Sequence, residues 1–129
     1  MKAVGMNRMD EKEVFFFDSY AIMELHEGNP AYVSYENAQG VLTIFNIAEL
    51  NYAMKRDGKK QADELTHRYF SMQVPVTEKD IMESMSFRIQ NKKLSIPDAI
   101  GYVVAKRLGI KFLTGDKAFE QMENVEFVK

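Results

Sequence analysis

Four carboxylates stand out by where they fall along the chain. Asp18 follows the apolar run Val14-Phe15-Phe16-Phe17, and Glu49 lies one turn beyond the β-rich run Gly40–Phe45. Asp98 sits in the first turn of a helix opened by Ser95-Ile96-Pro97, and Asp116 follows the run Ile110–Thr114. Singly, each has a structural explanation. Asp18 and Asp116 can be helix N-caps, Glu49 the third-position partner of a capping box begun by Asn46, and Asp98 the same partner for Ser95. Together, they point elsewhere. Four carboxylates converging on one edge repel each other, and bound divalent cations relieve that repulsion. The chain has no cysteine and only two histidines, His26 and His67, both of which read as ordinary surface residues. Ligation by oxygen alone suits Mg²⁺ or Mn²⁺.

Composition narrows the field further. Absence of cysteine removes disulfide scaffolds, thiolate zinc sites, iron–sulfur clusters and cysteine nucleophiles, and it fits a reducing, cytoplasmic setting. Two histidines exclude a three-histidine metal centre. With 46% hydrophobic and 28% charged residues, the chain is ordinary globular material, and 129 residues make one domain. No membrane segment is expected: the run at Val14–Phe17 is far below the roughly 18 apolar residues that a spanning helix needs. Residues 1–13 read as a polar N-terminal leader, and 14–129 as the domain.

The net charge of −2 hides an asymmetry. Residues 1–49 hold 3 basic and 8 acidic side chains, whereas residues 50–129 hold 14 basic and 11 acidic. This is not a polybasic nucleic-acid binder. Binding RNA would need a local basic face, for which Lys55, Arg56, Lys59 and Lys60 form one candidate stretch and Lys92-Lys93 another.

Positioning the acids requires alternating strands and helices. Val14–Phe17, Gly40–Phe45, Met72–Val76, Ile110–Thr114 and Val125–Val128 read as strands. Helices are predicted over 19–26, 31–37, 46–56 with Asn46 as N-cap, 59–71, 77–90, 95–108 and 116–122. Such alternation gives an α/β domain with a mostly parallel four- to five-stranded sheet and helices on both faces. In open sheets of this kind ligands bind beyond the carboxyl ends of the strands, where Asp18, Glu49 and Asp116 are expected.

Four segments carry a family resemblance: Phe15-Phe16-Phe17-Asp18-Ser19, Thr43 to Leu50, Leu94 to Ile100, and Phe112 to Phe119. In order, spacing and strand context they resemble the PIN domain, closest to the VapC-type toxin ribonucleases of toxin–antitoxin pairs. The resemblance spans about residues 14–128. It implies a three-layer α/β/α sandwich and a metal-dependent endoribonuclease acting on single-stranded RNA. Asp18, Glu49, Asp98 and Asp116 would be the catalytic, metal-holding quartet, with the hydroxyls of Ser19 and Thr114 beside them. Cleavage would leave a 5′-phosphate and a 3′-hydroxyl. It also implies an antitoxin protein as partner and a homodimer, for which Tyr52 and Met54 are interface candidates. The family's frequent second acid near the last motif has Glu120 as its nearest stand-in here. The rival reading is a non-catalytic PIN-like module that binds RNA or protein. A phospho-receiver domain is disfavoured, because Asp18 has no acidic neighbour.

Overall fold

A computed structural model gives the fold for residues 13–129; the polar leader expected over 1–13 lies, but for Glu13, outside the described residues. The elements are β1 (Val14–Phe17), α1 (Ser19–Glu27), β2 (Gln39–Val41), α2 (Ile44–Arg56), α3 (Ala62–Phe70), α4 (Glu78–Gln90), α5 (Ile96–Leu108), β3 (Lys111–Thr114) and β4 (Val125–Phe127). Single 3₁₀ turns occupy Pro30–Tyr35 and Lys117–Phe119.

The four strands form one sheet in the order β2-β1-β3-β4, and every pairing is parallel. All carboxyl ends therefore share one edge. The chain steps from β1 to one side and later returns to its other side, so strand order reverses between β1 and β3. In an open α/β sheet a crevice forms at that reversal.

Side chains alternate faces along a strand, and β1 shows the result. Phe16 turns to the layer of α5. It stacks on Phe112 with ring centroids 5.5 Å apart, and Tyr102 of α5 meets Phe112 edge-on at 5.9 Å. Phe15 turns the other way, against Tyr35 at 5.4 Å, and Phe17 shares that face with Leu25 of α1 and Leu65 of α3. The sheet thus lies between two helical layers, as the three-layer expectation requires. Phe16, Phe112 and Phe119 are fully buried, each worth roughly 1.5–3 kcal/mol of apolar transfer. Close approach of α5 to the sheet depends on Gly101: a Cβ there would stand 2.8 Å from the Phe16 ring and 2.9 Å from Asn46 Nδ2.

Four expectations are corrected. The strand predicted over Gly40–Phe45 ends at Val41, because Thr43 takes the N-cap position and α2 starts at Ile44. Asn46 is therefore not the cap. It is the third residue of the helix and closes a capping box with Thr43. Met72–Val76 forms no strand among the described residues. It touches the sheet only through a bridge between Leu42 and Gln73, in which the Val74 N–H donates to the Leu42 carbonyl at 2.8 Å. Met54 is 2% exposed and belongs to the core, so it is not available to an interface, whereas Tyr52 is exposed.

Candidate metal centre

Asp18 terminates β1 and occupies the N-cap position of α1, yet makes no capping hydrogen bond. That separates it from a structural cap. Its carboxylate is 2% exposed and turns toward β3, where Thr114 Oγ1 donates to Oδ2 at 2.6 Å. The second oxygen, Oδ1, is buried with no partner.

Glu49 reaches the same place from α2. It takes no part in the capping box, which Thr43 and Asn46 complete by themselves. Ser95 Oγ donates to Glu49 Oε2 at 2.6 Å, and Oε1 is again buried without a partner. Asp98 comes from the first turn of α5. Its structural explanation holds: Oδ2 accepts from the Ser95 N–H at 3.0 Å, and the Asp98 N–H donates to Ser95 Oγ at 3.0 Å. That bond occupies one oxygen only.

One carboxylate oxygen each from Asp18, Glu49 and Asp98 lie within 4.8 Å of one another. Oxygens sharing one ion at about 2.0–2.6 Å can be no farther apart than about 4–5 Å, so the three fit a single divalent cation. Among the described residues no lysine or arginine pairs with these acids. A buried charge needs a partner or a metal, and the two orphaned oxygens belong to carboxylates of this cluster.

Asp116 stands at the rim, outside this trio. Its N–H donates to Thr114 Oγ1 at 3.0 Å, and its Oδ1 accepts from the Ala118 N–H at 3.0 Å, so it also caps the turn at Lys117–Phe119. Its charge still reaches the others. Glu49 is pushed up to about 7, first by burial, then by Asp98 and Asp116, against the stabilising Ser95 hydroxyl. Asp18 lies well above the usual carboxylate range through burial first, then Asp98, with Glu49 and Asp116 adding to it. Asp98 is raised chiefly by burial, with Asp116 contributing and the bonds from Ser95 opposing.

The other candidates fall in different places. Thr114 bridges Asp18 and Asp116, whereas Ser19 opens α1 half-buried and has no side-chain bond to the acids. Glu120 is exposed beyond the 3₁₀ turn. Of the basic candidates, Lys55 pairs with Asp63 at 2.9 Å, Arg56 with Asp57 at 3.0 Å and Lys59 with Glu27 at 2.9 Å. Lys60, Lys92 and Lys93 are exposed with no ion pair among the described residues. Lys55 and Arg56 lie ~10 Å along α2 from Glu49.

Sequence reasoning saw Ser95 only as a cap. Its hydroxyl in fact serves two acids, accepting from the Asp98 backbone while donating to Glu49. The residue types at 95 and 98 announce the cap, but nothing local announces a contact made 46 positions away. Asn46, whose Nδ2 donates to the Pro97 carbonyl at 3.0 Å, joins the start of α2 to the start of α5.

The fold and the site define a class: a parallel α/β domain whose switch point gathers carboxylates that could hold a divalent cation. The family model described as the PIN domain matches residues 15–125, and the chain belongs to the PIN domain family. PIN domains are generally nucleases. Among solved structures, a toxin–antitoxin complex from Klebsiella pneumoniae matches with a TM-score of 0.63 at 22% identity, covering 86% of this chain and 94% of that one. The PAE2754 protein of Pyrobaculum aerophilum also matches with a TM-score of 0.63, at 15% identity over 89% of this chain and 86% of that one. At these identities the likeness is one of fold. A sequence search of curated proteins finds no match.

Proposed function

We propose that the protein is a metal-dependent endoribonuclease that cuts single-stranded RNA, with Asp18, Glu49 and Asp98 holding Mg²⁺ or Mn²⁺ and Asp116 completing the site from the rim. The observation that carries the reading is the pair of orphaned buried oxygens, Asp18 Oδ1 and Glu49 Oε1, on carboxylates that each offer an oxygen within 4.8 Å of one another and of Asp98. A helix cap or a fold-stabilising acid would not leave such atoms unpaired. A binding module without catalysis would have no need to maintain that repulsion.

A bound divalent ion lowers the pKa of a ligated water and offsets charge on a phosphate. The residues prepare for it. Thr114 fixes the Asp18 carboxylate so that Oδ1 stays free, and Ser95 fixes Glu49 so that Oε1 stays free. A serine or threonine hydroxyl is too weakly basic to take a proton near neutral pH, so the proton of the attacking water would pass to the carboxylates. In-line attack would leave a 5′-phosphate and a 3′-hydroxyl.

The fold shared with a toxin–antitoxin complex supports placing the protein as the toxin of a VapBC-type pair, acting in the cytoplasm, with an antitoxin and a second copy as partners. No helix among the described residues is long and apolar enough to cross a membrane. The deciding experiment is cleavage of labelled single-stranded and duplex RNA with Mn²⁺, with wild type beside Asp18→Asn and Asp116→Asn. Single strands should be cut, duplex largely spared, and both variants inactive. Equal cleavage by wild type and Asp18→Asn would trace the activity to a contaminant and overturn the assignment.

A further inference from the structure

Beside the acids lies a cavity that the chemistry above does not use. It measures about 410 Å³ and is lined by Ile89, Lys92, Lys93, Leu94, Ala118 and Met122, among others. Both of its walls adjoin residues of the acidic site along the chain. Leu94 immediately precedes Ser95, whose hydroxyl holds Glu49, and the Ala118 N–H is the group that Asp116 caps.

The lysine wall is built stiffly. Leu94 N–H donates to the Asn91 carbonyl at 3.1 Å, closing a tight turn over Lys92-Lys93. Arg88 Nε donates to the Leu94 carbonyl at 2.8 Å, and Asn91 Nδ2 to the Phe87 carbonyl at 2.9 Å. Two exposed lysines, with no ion pair among the described residues, thus stand on a braced turn that lines the hollow. Ile89 at its rim is 70% exposed and Ile96, just past Ser95, is 48% exposed. A largely apolar lining with two lysines on the turn beside it suits a flat aromatic group that carries a phosphate.

We propose that this cavity seats one nucleobase of the RNA strand, with Lys92 and Lys93 gripping the adjoining phosphate, and so fixes the register of the chain over the acids. The inference rests on the nuclease reading and deepens it by naming a subsite. Lysines on a turn leading straight into the acidic site would draw the strand's phosphates there, whereas the acids themselves repel them. Apolar lining grips any base by its face, so the subsite favours a base over none and contributes little choice among bases. Occupation also demands an unpaired base, which a duplex does not offer.

The chain contains no tryptophan, so Ile89→Trp places a single indole at the rim on an already exposed position. In an Asp18→Asn background, single-stranded RNA should quench that indole, and an oligonucleotide abasic at every position should bind without quenching it. Ala118→Phe, which fills the floor, should weaken binding of the normal strand roughly tenfold and leave the abasic strand unaffected. Lys92→Gln with Lys93→Gln should weaken both strands and flatten the salt dependence. Circular dichroism and thermal midpoint check that each variant is folded; should Ala118→Phe fail to fold, Met122→Phe takes its place. Equal quenching by normal and abasic strands would overturn the base subsite, as would indole quenching that grows with protein concentration without RNA, the signature of a second copy covering this face. If wild type cleaves RNA while these binding differences are missing, the subsite alone fails. If wild type cleaves no RNA, the nuclease reading itself has failed.

Discussion

At the scale of single residues, the site is a set of charges held against their own repulsion. Asp18 and Glu49 each spend one oxygen on a hydroxyl and leave the other buried and bare. Removing one charge should relax the metal-free protein. Asp18→Asn or Glu49→Gln is expected to raise its stability at neutral pH by roughly 1–3 kcal/mol, the scale of a carboxylate pKa displaced by about one to two units, while abolishing cleavage. Urea unfolding in a chelator measures the first effect. The same electrostatics set a pH dependence. A raised carboxylate pKa means that the folded protein keeps a proton which the unfolded chain releases near pH ~4. The stabilising share is complete below that pH and is lost as pH rises toward the folded value, about 7 for Glu49. Metal-free protein should therefore weaken between about pH 4.5 and 7, with a slope approaching ~1.4 kcal/mol per pH unit for each such group. Denaturation midpoints across that range give the test; a flat or rising profile would remove the buried-acid account. Ser95→Ala should cost about 1–2 kcal/mol through the lost α5 cap. It should also free Glu49 and reduce cleavage, whereas Thr43→Ala should carry only the stability cost.

Elements do the placing. Asp18 is delivered by the end of a central strand, Asp98 by the start of α5, Glu49 by the second turn of α2 and Asp116 by the end of β3. The Asn46–Pro97 bond sets the starts of α2 and α5 side by side. β4 has a part as well: at Gly115 a Cβ would stand 2.2 Å from the Val128 carbonyl oxygen and 2.4 Å from the Tyr20 ring. Neither wall is the free end of a flexible chain. Gly115→Ala should therefore displace the C-terminal segment, shift Thr114 and Asp116, and cost roughly 1–3 kcal/mol, read as a lowered thermal midpoint together with reduced cleavage. Much of this was legible beforehand. Phe15-Phe16-Phe17 ending at Asp18 reads as a buried strand with an acid at its tip, and Ser95-Ile96-Pro97-Asp98 reads as a capped helix start. The misses were local competitions decided by tertiary contact. Thr43 and Asn46 are both good caps, and Thr43 prevails because the chain must leave the sheet at Val41 for α2 to meet α5. Met72–Val76 has strand composition but finds only Leu42 to bridge to. The twin duty of Ser95 was invisible, since it depends on how two helices separated by more than 40 residues meet.

For the whole molecule, the parallel sheet makes one edge special, and the sequence loads that edge with negative charge, with no lysine or arginine paired to its acids among the described residues. Lysines beside such an edge draw an RNA strand with a salt-dependent pull, and a bound cation is needed to seat the scissile phosphate over the acids themselves. Millimolar Mg²⁺ or Mn²⁺ should raise the thermal midpoint of wild type, since a ligand that binds only the folded state stabilises it by mass action. Cleavage depends on that cation being bound by these acids. Calorimetric titration of Mn²⁺ into wild type, Asp18→Asn and Asp63→Asn tests it most directly, because Asp63 is an exposed acid paired with Lys55 away from the site. The account predicts binding by wild type and Asp63→Asn alike, and its loss in Asp18→Asn. Undiminished binding in Asp18→Asn, or none in wild type, would contradict it.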